Sequence, residues 1–153
     1  MKKITLFGIL FVFLAVANCD AVDSIFEQPT LKVIKAKVTL NIFSGRPNPT
    51  WALSTKHANQ LVTKISELPK SDSTSSLDGL GYSGFRVELT HSASRKSKIT
   101  AYKGLVIYNI NGTSYYFTDS ERLVEKFLLK SGKSTLDSQL YQTVKAEIET
   151  NGN

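Results

Sequence analysis

The order of apolar spacings predicts an α+β domain: a strand, a helix, a three-stranded meander and two closing helices. The expected architecture is a four-stranded mixed or antiparallel sheet with the helices on one face. Three observations carry this expectation. Ala36, Val38, Leu40 and Ile42 alternate with Lys35, Lys37, Thr39 and Asn41, the period of a half-buried strand. Ala58, Leu61, Val62, Ile65 and Leu68 recur at helical intervals. Asn111-Gly112, the strongest short hairpin signal, joins two runs rich in β-branched and aromatic residues.

At the N-terminus, Lys2 and Lys3 precede an unbroken apolar run over residues 4–17, which reads as a secretory signal. That run falls short of the roughly 20 apolar residues needed to cross a bilayer. Ala15-Val16-Ala17 and Cys19-Asp20-Ala21 are two candidate cleavage contexts, placing the mature start near Asn18 or Val22. The chain is therefore divided into a signal peptide (1–21), a flexible leader containing Pro29 (22–30) and a single α+β domain (31–153). Val16-Ala17-Asn18-Cys19 also reads as a lipobox, poorly served by Asn18, which makes Cys19 the lipidation site of an envelope lipoprotein. The expected location is secreted or extracellular; in the lipid-anchored alternative the domain faces the periplasm or the cell exterior.

Cys19 is the only cysteine, so the exported domain is held by its core and not by an internal disulfide. With 41% hydrophobic and 10% aromatic residues it has the material for one. The formal charge of +6 falls to +5 when Lys2, Lys3 and Asp20 leave with the signal. An excess of this size favours an anionic surface or glycan as partner, without constituting a nucleic-acid footprint. A monomer is expected, touching membrane only through its signal or a Cys19 lipid.

Within the domain the first strand covers residues 35–43. The two prolines of Ser44-Gly45-Arg46-Pro47-Asn48-Pro49 then impose a rigid loop. Ser54 is the N-cap of the first helix and Pro69 its stop. Residues 70–84 form a long Ser-, Asp-, Thr- and Gly-rich connection. Phe85, Val87 and Leu89 begin the meander, which continues over residues 98–110 and 113–117. Thr118 and Glu121 have capping-box spacing before Leu123, Val124, Phe127 and Leu128, and Gly132 ends that helix. Leu136, Leu140, Tyr141, Val144 and Ile148 stripe the last one. If the first two strands are parallel neighbours, a right-handed crossover joins them.

Gly79-Leu80-Gly81-Tyr82-Ser83-Gly84 matches a dinucleotide-binding turn in letters only. A polar loop precedes it and a strand follows, whereas phosphate binding needs a helix N-terminus. Its glycines are read as loop residues at positive φ. SGRPNPTW sets a guanidinium, an amide and an indole on a stiffened backbone, suited to a carboxylate, a phosphate or a sugar; equally, Trp51 covers the core edge. SGRPNPTW followed by DGLGYSGF resembles an uncharacterised group of small proteins sharing SGRPNPxW and GLGYxGF. The likeness spans residues 38–85 and implies a shared fold, with no established activity and no catalytic residues to carry over.

His57 and His91 lie on different elements without a further ligand, so no metal or cofactor is expected. No nucleophile elbow, triad order or carboxylate pair marks a catalytic residue; Asp119, Glu121 and Glu125 read as helix-start and surface charges. Lys32, Lys35 and Lys37, with Arg95, Lys96 and Lys98, read as protection of strand edges, or else as an anionic-surface footprint. Tyr102, Tyr108, Tyr115 and Tyr116 gather round the hairpin, and Asn111-Gly112-Thr113 is a glycosylation sequon at Asn111. The leading functional expectation is a non-enzymatic binding or structural module with Arg46, Asn48, Trp51 and Tyr82 as candidate binding residues. The alternatives are a small hydrolase or enzyme inhibitor with a loop-built site, and the lipid-anchored component.

Overall fold

The computed structural model describes residues 32–72 and 81–150. The expected signal (1–21) and expected leader (22–30), Cys19, and Gly79 and Leu80 of the glycine motif lie outside these residues. Among these residues six strands form one antiparallel sheet: β1 (Val33–Leu40), β2 (Thr50–Leu53), β3 (Phe85–His91), β4 (Lys96–Tyr102), β5 (Leu105–Ile110) and β6 (Thr113–Thr118). Their spatial order is β2-β1-β3-β4-β5-β6, with every neighbouring pair antiparallel. Among the described residues three α-helices accompany the sheet: α1 (Thr55–Ser66), α2 (Leu123–Ser131) and α3 (Ser138–Thr150).

The four-stranded expectation is thus wrong by two strands. The run 98–110 is two strands, folded back at Lys103 and Gly104, whose φ of 47° and 76° supply the two positive values of a type I′ turn. Lys-Gly lacks the asparagine that announces such a turn at Asn111-Gly112, where φ is 53° and 82°. The other missed strand is β2, four residues directly after Pro49 and too short to show a period. The parallel crossover fails as well. β1 pairs antiparallel with β3, Leu40 opposite Phe85, so the end of β1 and the start of β3 share one end of the sheet.

Side chains of one sheet face are buried: Val38, Leu40, Phe85, Val87, Ile99, Ala101, Tyr108 and Phe117 all sit at 1% exposure or less. Ala58, Leu61 and Ile65 of α1, Val124 and Leu128 of α2, and Val144 and Ile148 of α3 close the core over them. In β1, Ile34 is the extra residue of a bulge between Val33 and Lys35 and turns outward, 54% exposed. The outer edge of β6 is covered, since residues 69–71 run beside it: Thr118 N–H donates to the Pro69 carbonyl (2.9 Å) and Ser71 N–H to the Tyr116 carbonyl (2.9 Å).

Ser54 caps α1 as expected, its Oγ accepting from His57 N–H (3.2 Å). The capping box at Thr118 does not form, because Thr118 is the last residue of β6. Instead the Asp119 carboxylate accepts from Leu123 N–H (2.9 Å) and Val124 N–H (2.7 Å), with Arg122 at φ 56° between them. Asp137 plays the same part for α3, accepting from Leu140 N–H at 2.8 Å.

Candidate functional site

The SGRPNPTW loop holds itself together. Asn48 Oδ1 accepts from Ile42 N–H (3.0 Å) and Phe43 N–H (2.8 Å), and Leu40 N–H donates to the Pro49 carbonyl (3.0 Å). The exposed Arg46 guanidinium lies 3.6 Å over the Phe43 ring. Trp51, 7% exposed, belongs to the core: its Nε1–H donates to Ser131 Oγ (3.0 Å) and its ring meets Phe85 edge-on at 6.3 Å. A Cβ on Gly132 would stand 2.6 Å from Trp51 Cζ2, so Gly132, at φ −92°, is there to admit the indole. Of this motif Arg46 presents the only charged group, alongside the exposed hydroxyl residues Ser44 and Thr50.

Tyr82 also packs on Phe85, at 6.1 Å, so the two marked segments share a ring neighbour. They are also tied by backbone, Asn41 N–H donating to the Gly84 carbonyl (2.9 Å) and Ser83 N–H to the Asn41 carbonyl (2.8 Å). Gly81 and Gly84 have φ of 86° and 83°, and a Cβ on Gly84 would strike the Ala101 carbonyl oxygen. Antiparallel pairing of β1 with β3 brings these segments together with no long return path.

The Tyr82 hydroxyl donates to Glu125 Oε1 (2.5 Å). Glu125 and Arg122, only 1% and 2% exposed, face each other through Nε–Oε2 and Nη2–Oε1 contacts of 2.8 Å each. Gly104 N–H adds a fourth donor to Glu125 at 3.2 Å, and Arg122 Nη1 donates to the Glu147 carbonyl of α3 at 2.9 Å. Burial, then the adjoining carboxylate, drive the Tyr82 phenol well above its ordinary pKa; its hydrogen bonds to Glu125 raise that of Arg122. Glu125 is therefore no surface charge. The i,i+3 spacing of Arg122 and Glu125 was the available signal, but it fits an exposed helical pair equally. This cluster ties loop, sheet turn, α2 and α3 into one unit.

A second buried chain links His91 Nε2 to Ser97 Oγ (2.7 Å) and Ser97 Oγ to the Tyr108 hydroxyl (3.3 Å). Burial raises the Tyr108 pKa. His91 is fully buried and Ser97 7% exposed, so this Ser-His contact is part of the core packing between β3 and β4. His57 is on the surface of α1 against Phe127, and Asn111 is exposed at the β5–β6 turn. Among the described residues no cluster of His, Cys, Asp and Glu could hold a metal, and no helix is long and apolar enough to cross a membrane.

The opposite face of the sheet is the distinctive surface. Cross-strand register sets Lys37, Glu88, Lys98 and Asn109 in one row and Lys35, Thr90 and Lys96 in the next. The four lysines are exposed and rim a depression of about 590 Å³. None of them forms an ion pair among the described residues. Edge protection does not account for Lys37 and Lys98, which have paired neighbours on both sides, whereas Lys35 and Lys96 lie just beyond the ends of the β2 and β5 pairings.

Fold and site together define an open-faced α+β sheet domain: helices on one side, a lysine-rimmed hollow on the other. Comparison with protein-family models, curated proteins and solved structures finds no match.

Proposed function

We propose that this chain is a non-enzymatic, exported binding module that takes up an anionic ligand on the open face of its sheet. One observation carries the reading: Lys35, Lys37, Lys96 and Lys98 stand together on interior strands, around a hollow, against a single carboxylate, Glu88. Lysine is disfavoured in strands, and four ammonium groups about 7–10 Å apart repel one another, which the cross-strand attraction of Lys37 and Lys98 to the one carboxylate, Glu88, offsets only in part. A ligand that supplies the missing negative charge completes the balance. On this reading SGRPNPTW and the glycine motif mark the fold of the group they resemble, Asn48, Trp51 and Tyr82 being structural and Arg46 peripheral.

Chromatography on immobilised heparin tests the proposal. The wild type should be retained, and the quadruple variant Lys35→Gln/Lys37→Gln/Lys96→Gln/Lys98→Gln should elute at much lower salt. The control removes equal charge elsewhere: Lys126→Gln/Lys130→Gln/Lys133→Gln/Lys145→Gln, around the α2–α3 groove. Equal shifts for both variants would mean that net charge alone acts and that no site exists.

A further inference from the structure

The arrangement of charge in the hollow points further, and we infer that its ligand is an anionic polysaccharide, a chain whose acidic groups are separated by hydroxyls; this rests on the binding function proposed above. The lysines form a rectangle. β1 and β4 are two strand spacings apart, about 10 Å, and paired lysines on one strand lie about 7 Å apart. The span across β3 is one that a disaccharide bridges.

What occupies the centre decides the class. Glu88 sits between Lys37 and Lys98, and Thr90 between Lys35 and Lys96. A carboxylate there repels a ligand with charge at every link and accepts hydrogen bonds from hydroxyls. A sugar chain meets both conditions, with acid groups on the lysines and hydroxyls over Glu88 and Thr90. Asn109, at the end of the Glu88 row, adds a carbonyl acceptor, its amide already donating to Ser114 Oγ at 3.0 Å. No aromatic side chain lines the hollow, so it lacks the stacking platform that single-stranded nucleic acid uses.

The experiment titrates the full chain and its Glu88→Gln variant by calorimetry. The probes are a tetrasaccharide of alternating uronate and uncharged N-acetylhexosamine, inorganic polyphosphate of matched charge, and vesicles of equal parts phosphatidylcholine and phosphatidylglycerol. The expected result is opposite signs: Glu88→Gln weakens the tetrasaccharide about tenfold by losing charged acceptors for hydroxyls, and tightens polyphosphate by a similar factor. Circular dichroism of the variant should match the wild type, as Glu88 is exposed. If the variant tightens both, or if vesicles or polyphosphate bind the wild type as well as the tetrasaccharide, the polysaccharide assignment falls while the anion site stands. If none of the probes binds the wild type, the function proposed above falls with it.

Discussion

Glu125 shows how much a single side chain can be misjudged from its neighbours in sequence. Alone, a buried carboxylate would be prohibitive. Here two hydrogen bonds from Arg122, one from Tyr82 and one from Gly104 surround it, and no buried side-chain polar atom among the described residues lacks a partner. Because the two ions compensate each other, removing either strands the other. Arg122→Met or Glu125→Leu alone should cost about 3–5 kcal/mol in urea unfolding, and the double variant far less than the sum. Additive losses would mean that the two residues do not act as a pair. Trp51 carries a parallel lesson: the residue most inviting as a binding aromatic spends its indole N–H on Ser131 and its ring on Phe85.

At the level of elements, glycines decide where strands can turn and approach. Gly84 and Gly112 have nearly equal φ, 83° and 82°, but different surroundings. A Cβ at Gly112 meets open space, whereas at Gly84 it meets the Ala101 carbonyl and Tyr102 Cβ. Gly112→Ala should therefore cost only the left-handed backbone penalty, about 1–2 kcal/mol. Gly84→Ala must also push β4 away from the start of β3, so its thermal midpoint should fall well below that of Gly112→Ala. Similar midpoints would show that the chain yields at Gly84. Gly132→Ala should also exceed Gly112→Ala, although its φ of −92° is ordinary, because it forces an anchored indole to move.

Across the whole molecule, charge is distributed against stability. A net +6 with four unpaired lysines on one sheet face means self-repulsion, which salt screens over a Debye length of about 8 Å at physiological strength. The melting temperature should rise by about 2–5 °C when ionic strength increases from about 0.01 M to 0.15 M. In the quadruple open-face Lys→Gln variant most of that rise should vanish, because the repulsion it relieves is gone. A full rise in the variant would place the repulsion elsewhere, for instance around the lysines of the α2–α3 groove.

Alternation in β1, the helical period and Ser54 cap of α1, the Asn-Gly hairpin and the stripe of α3 were legible because each is a local pattern, complete within a few residues. The α+β class follows from their order. Strand count was not legible: β2 is too short to show a period, and the turn at Lys103-Gly104 lacks the residue that usually announces one. Pairing was not legible either, since whether β1 meets β3 parallel or antiparallel depends on the path of the chain between them. The same holds for the site. Lys35 and Lys37 were visible as one pair and Lys96 and Lys98 as another, far apart in the chain and each suited to a sheet edge. Only the register through β3 sets them around Glu88 on interior strands, because cross-strand neighbours are fixed by hydrogen bonds between segments and leave no trace in the spacing within either one.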